Sequence, residues 1–342
     1  MRDSFVLGVS VVSPAANTAE ELSKLAEEFW DTGEIQPKRP LGKPVPFEVG
    51  VPPSKVRRCP RYVKLAVAAS VAAWQDANAD AKREETGTVF STGYGPVESN
   101  AKFAVSVVDE TPSLASPAIF SYTVPNSCLG QVCITQGFQG PSVMLMGGDV
   151  LEYGALLLSE HKARYMLCGS VEEGHELLQT AFREDHIIDP DTISDGAAML
   201  TLSADVSTDA YCRLTAFASA SLPACPFVCK FSEDEKEIAR SAAIDMLSSL
   251  EGTYDLILSA GGSNPFASME REILATKTKN SVKIWDTKAV FGESLGAGYM
   301  ENVAFGAALL RSAKQKGVTC RRILALGLDA CGNYLGAVLE EV

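Results

Sequence analysis

The sequence predicts an α/β fold in which one order of elements is built twice. Short runs of β-branched and aliphatic residues alternate with helical stretches along all 342 residues, the pattern of buried strands joined by crossover helices. Several of these strands run into glycine-rich turns. Matching letters recur in the same order in both halves.

Phe5 to Ser13 reads as a buried strand, Ala19 to Trp30 as a helix, and Thr32 to Pro53 as a Pro/Gly-rich connection. Pro60 to Asn78 opens on a helix-starting proline and is mostly Ala and Val, so a helix packed between layers is expected. Strand Thr88 to Thr92 follows, then a helix from the Gly95-Pro96 turn to about Val108, an extended Pro112 to Pro125, and a helix Ser127 to Phe138. Gly140 to Asp149 is a short strand ending in a glycine pair that opens the helix Val150 to Glu160. Strand Arg164 to Gly169, a polar excursion Glu172 to Ser194 and strand Ala197 to Ser203 close this half.

The second half repeats the order. It has strand Tyr211 to Ser219, helix Glu233 to Leu250, strand Asp255 to Ser259, a glycine turn and helix Phe266 to Ala275. Strand Val282 to Trp285, helix Glu293 to Ala313 and strands Ile323 to Leu328 and Tyr334 to Leu339 complete it. Tyr153-Gly154-Ala155-Leu156-Leu157-Leu158 precedes Arg164 to Gly169 just as Phe305-Gly306-Ala307-Ala308-Leu309-Leu310 precedes Arg322 to Gly327. Ser91-Thr92-Gly93-Tyr94-Gly95-Pro96 matches Ser259 to Pro265. These matches give an internal duplication of a βαβαβαββ unit, with halves 1–205 and 206–342 in one integrated domain.

Composition narrows function. A hydrophobic content of 46% with 21% charged residues supplies a sizeable core. A net charge of -13 argues against a nucleic-acid partner, whose phosphates need a basic face. The loose basic cluster Lys38, Arg39, Lys43, Lys55, Arg57 and Arg58 reads as a solvated loop. Nine cysteines with no framework spacing read as reduced thiols; Cys225-Pro-Phe-Val-Cys229 has metal-like spacing without a second pair. No apolar run of ~20 residues is present, so a cytoplasmic protein with no membrane partner is expected.

The chain resembles the β-ketoacyl synthases of the thiolase fold, nearly end to end. Arg57 to Ala66 is similar to their "RRMDRFSKLA" entry, Phe120 to Gly130 to "F..TVPN...G", and Gly137 to Pro141 to "G.KGP". Asp195 to Leu200 stands at "GEGAGVLVLE", and Thr287 to Gly298 is similar to "TKS..GH.LGAAG". The resemblance implies an αβαβα layering and no cofactor. It also implies a Cys nucleophile that takes the acyl chain as a thioester, with two His that polarise the carbonyl and stabilise the enolate.

None of the three reacting side chains is present. The nucleophile position, eight residues after the proline of the "GP" motif, is Asp149. The first His, in "AHGTGT", is replaced by Gly261, and the second by Glu293; the supporting Lys288 is kept. The only histidines, His161, His175 and His186, pair with no cysteine in a recognisable setting, and Cys128, Cys133 and Cys168 read as packing. Asp149 and Glu293 are expected to share a cleft, neutralised by Lys288.

A ketosynthase fold without its nucleophile is similar to a chain length factor, the inactive half of a type II polyketide synthase heterodimer. That resemblance implies an active ketosynthase as partner, with acyl carrier protein reaching the complex through it. It places chain-length gating on the helix after Gly95, at Phe103, Val107 and Val108, and dimerisation along Val143, Met144, Leu145 and Met146. Two other readings are a free-standing decarboxylase or acyltransferase using Asp149, Glu293 and Lys288, and a purely stabilising scaffold.

Overall fold

In the computed structural model, residues 3–78, 83–108, 115–250, 252–278 and 282–342 are described. Strand β1 (Ser4–Val12) leads to α1 (Ala19–Thr32), the single turn α2 (Pro53–Val56) and α3 (Arg61–Asp76). Then come β2 (Thr86–Thr92), α4 (Val97–Val108), α5 (Pro117–Phe120), α6 (Ser127–Gln136), β3 (Ser142–Met146) and α7 (Val150–Ser159). Strand β4 (Tyr165–Glu172), α8 (Glu176–Asp185) and β5 (Gly196–Ser203) follow. The remainder is β6 (Cys212–Ser221), α9 (Glu233–Ser249), β7 (Leu256–Ser259), α10 (Phe266–Lys277), β8 (Lys283–Asp286), α11 (Lys288–Phe291), α12 (Gly298–Lys316), β9 (Arg322–Leu328) and β10 (Asn333–Glu340).

The strands form one sheet in the order β3-β2-β4-β5-β1-β6-β10-β9-β7-β8. Reading outward from the centre, the first five strands and the last five repeat one order. The senses repeat as well. β2 is parallel to β3 and β4, and β7 to β8 and β9; β5 and β10 are each antiparallel to both neighbours. The halves join where β1 meets β6, antiparallel, from Ser4↔Leu214 to Val6↔Cys212.

Strand side chains alternate between cores, as a period of two requires. Met166, Cys168, Leu200 and Leu202 from one half and Leu256, Leu258, Ile323 and Leu339 from the other enclose α1, α7 and α12 in a middle core. Their neighbours Leu167, Met199 and Phe90 face α3 and α6. Ile257, Leu324 and Val338 face α9 and α10. This is the αβαβα layering. Ala and Val on α3 let it lie tight on β1, where any Cβ at Gly8 would meet the Ala73 carbonyl oxygen at 2.3 Å.

Three local expectations are corrected. Pro112 to Pro125 is not wholly extended: Ser116 caps the turn α5 by accepting from Ile119 N at 3.4 Å, with Pro117 as its first residue. Residues 112–114 lie outside the described residues. The polar excursion carries α8, held by buried Leu178 and Phe182 one turn apart. The last long helix begins at Gly298 rather than Glu293, because the Glu293 backbone is paired elsewhere: its N–H donates to Thr192 O at 2.9 Å and its carbonyl accepts from Ser194 N at 3.0 Å. No described helix is long and apolar enough to cross a membrane.

Candidate functional site

Strand β3 ends in Gly147 (φ 72°) and Gly148 (φ 89°), and this left-handed pair turns the chain directly into α7. Asp149 is the helix N-cap. Its Oδ1 accepts from Leu151 N at 2.8 Å and Glu152 N at 3.1 Å, and its Oδ2 accepts from the Tyr299 hydroxyl at 3.0 Å. The carboxylate that the resemblance places at the nucleophile position is therefore committed to capping. Burial pushes its pKa up to about 7, against the two amides and Tyr299, which favour the ionised form.

The elbow's other amides are committed too. Gly147 N–H donates to Thr92 O at 3.1 Å, and Gly148 N–H to Asp329 Oδ2 at 2.7 Å. Asp329 also accepts from Cys331 N at 2.8 Å and Asn333 N at 2.9 Å, so one carboxylate ties the elbow to the β9–β10 turn. Beside it, Glu172 accepts from the amides of Gly93 and Tyr94, and burial pushes its pKa up to about 7.

At Gly261 the backbone has φ 56°, and a Cβ there would lie 2.1 Å from Asp286 Oδ1. Asp286 fills the space where the family resemblance places a histidine. Its carboxylate accepts from Gly262 N and Lys288 N, both at 2.9 Å. Glu270 holds the other side of the turn, accepting from Ala260 N and Gly261 N at 3.0 Å and from the Tyr334 hydroxyl at 2.8 Å.

Glu293 pairs with Lys288 at 2.9 Å and accepts from Leu295 N at 2.9 Å. Burial alone would depress the Lys288 ammonium, but Glu293 and Glu301 outweigh it and hold its pKa above the ordinary value. Gly262 adjoins this pair, since a Cβ on it would lie 3.1 Å from Glu293 Oε2. The structure thus brings Gly261, Lys288 and Glu293 together. Asp149 stands apart in its bonding: its partners are Tyr299 and two amides, so the expected sharing of Lys288 between both carboxylates is replaced by two separate arrangements.

Sequence reasoning missed Asp286, Asp329, Tyr299 and Glu172, which belong to no quoted motif role and act across long sequence distances. The histidines shape turns. His175 caps α8, its Nδ1 accepting from Leu177 N at 3.2 Å, while His161 and His186 have φ 56° and 53°. Cys128 is buried and its thiol is pushed up to about 12 by burial. Of the basic cluster, Arg39 is tied to Glu21 through two bonds at 2.9 and 3.0 Å. Among the described residues no group of three or more His, Cys, Asp or Glu is arranged to hold a metal ion.

Phe103 lies on α4 with its ring 5.2 Å from that of Phe120 on α5. Val105, Val107 and Val108 on the same helix are exposed, Val108 to 78%. Only Ser99 of α4 is buried. Strand β3 is a sheet edge with Val143, Met144 and Leu145 half-buried and Met146 53% exposed.

Replacing Asp149 tests its role. Asp149→Ala removes both caps and is expected to cost about 1–2 kcal/mol. For pH the sign is fixed by the raised pKa. The folded chain holds this proton more tightly than the unfolded one, so the stabilisation is present below the ordinary value of 3.8 and is lost as pH rises through about 7. Thermal melts should show Tm falling from pH 5 to pH 8, and falling less in Asp149→Asn, which keeps an oxygen for the amides. Equal slopes in the two proteins would remove Asp149 from this account.

The layering, the repeated strand order and the glycine elbow define a thiolase-like, ketosynthase-type fold. Residues 42–198 match the family model described as beta-ketoacyl synthase, N-terminal domain. No curated protein matches the chain. Three solved structures are similar over 100% of both chains. One is a type II PKS acyl-carrier protein in complex with its ketosynthase bound to the hexaketide (AntDE:AntF; 14% identity, TM-score 0.76). The ishigamide ketosynthase/chain length factor (19%, 0.77) and a beta-ketoacyl synthase from Burkholderia phymatum STM815 (14%, 0.74) are the others.

Proposed function

We propose that this chain is a non-catalytic ketosynthase-like subunit, a chain length factor, that pairs with an active ketosynthase and shapes the tunnel holding a growing polyketide or polyene chain. The observation that carries this reading is the elbow itself. Its nucleophile position is a carboxylate consumed in capping α7 and binding Tyr299. A carboxylate forms no thioester, and the position of the first histidine is filled by Asp286. Similarity to the ishigamide ketosynthase/chain length factor supports the assignment.

The partner surface is the β3 edge with α4 and α5. An unpaired edge strand offers free amides and carbonyls, and Val105, Val108, Phe120 and Met146 leave apolar area on these elements uncovered. Acyl carrier protein reaches the complex through the partner, since a chain of net charge -13 repels an acidic carrier. The repeated strand order supports residues 1–205 and 206–342 as duplicated thiolase-like halves.

Co-expression with a ketosynthase followed by gel filtration is expected to give a one-to-one complex. A soluble homodimer indifferent to that ketosynthase overturns the partner reading. Mass spectrometry after incubation with acyl carrier protein thioesters should find this chain unmodified; an acyl adduct on it overturns the non-catalytic reading. Phe103, with Val107 and Val108, lines the tunnel end, so Phe103→Ala should lengthen the product of the intact complex. Unchanged product length with the complex intact removes Phe103 from the gate.

A further inference from the structure

All nine cysteines are free thiols, and two loops beside the elbow carry three of them, Cys225, Cys229 and Cys331. The two loops touch through their backbones. Leu222 N–H donates to Gly332 O at 2.8 Å, and a Cβ on Gly332 would lie 3.3 Å from the Cys225 nitrogen. Cys331 also touches the elbow: its Sγ donates to Met146 O at 3.2 Å and would lie 2.9 Å from a Cβ on Gly147. Tyr94 lies within electrostatic range of both Cys225 and Cys331.

We propose that Cys225 and Cys331 are a modification site: a thiol pair that closes into a disulfide beside the elbow when the chain meets a small-molecule disulfide. Cys331 is exposed and Cys225 half-buried, so the oxidant reaches Cys331 first. Its thiolate attacks the incoming S–S bond, forming a mixed disulfide and releasing one thiol. The Cys225 thiolate then attacks the Cys331 sulfur, the protein disulfide forms, and the second thiol leaves. Two thiol protons and two electrons pass from the protein, and the oxidant is reduced to two thiols.

Cys229 is the competitor, and geometry disfavours it. Cys229 N–H donates to Cys225 O at 3.0 Å, a helical turn. Side chains four apart in such a turn hold their Cβ atoms about 5–6 Å apart, beyond the roughly 3.8 Å a disulfide needs. Closing on Cys225 requires Cys331 to give up its bond to Met146 O by a rotamer change. Burial, with Asp329 and Glu172 nearby, keeps its thiol above the ordinary value, so closure is faster at alkaline pH.

The full chain is incubated with oxidised glutathione at pH 8, and its peptides are mapped without reduction. The expected result is a linked pair of peptides carrying Cys225 and Cys331, with two fewer titratable thiols than the nine of the untreated chain. Cys225→Ser and Cys331→Ser should each abolish the link, and Cys229→Ser should leave it. A lasting glutathione adduct on Cys331 with Cys225 free, a Cys225–Cys229 link, or an unchanged thiol count each overturns the proposal.

Discussion

Placing a histidine at position 261 by Gly261→His is expected to destabilise the chain by about 3 kcal/mol, from a β-carbon forced into Asp286 and a side chain held at positive φ. The Cβ would lie 2.1 Å from Asp286 Oδ1 at φ 56°. Urea unfolding should show a lowered midpoint with the m-value unchanged. Gly261→His with Asp286→Ala should regain part of the loss, because the steric term is removed and the backbone term is not. A stable Gly261→His variant would show that Asp286 does not seal the position.

Charging the apolar face gives the second large effect. Val108→Asp and Met146→Asp place a carboxylate where a partner must exclude water, and each is expected to weaken binding to the ketosynthase by at least ~100-fold, about 3 kcal/mol. Both side chains are exposed in the isolated chain, Val108 to 78% and Met146 to 53%. Its own stability should therefore change by no more than about 0.5 kcal/mol. Binding measured by calorimetry and melts of the free subunit separate the two. Unchanged affinity in both variants would remove α4 and the β3 edge from the interface.

Much of the fold was legible because β1, β2, β4, β5, β7, β9 and β10 are buried on both faces and read as nearly continuous apolar runs. α8 was not: only Leu178 and Phe182 of its ten residues are buried, too few to declare a period. The start of α12 was misplaced because tertiary pairing overrode local preference. Glu293 is held by Thr192 and Ser194, and Leu295 takes φ 48°.

By itself the sequence determined most of the order of elements, the letters repeated in both halves, and the presence of Asp149, Gly261 and Glu293 where the resemblance implies a thiol and two imidazoles. These are properties of letters and spacing. What surrounds those three positions was decided only by the tertiary structure. Tyr299 reaches Asp149 across 150 residues, and Asp329 reaches Gly148 across 181. Such pairs arise because the sheet order sets the ends of distant strands and helices side by side, and no local period records which carboxylate will meet which amide. Asp286 lies two residues before Lys288, yet its effect on Gly261 follows from β7 and β8 lying parallel, with Ser259 opposite Asp286. The glycine elbow is legible in the sequence; the tertiary structure makes it a capped, carboxylate-braced turn.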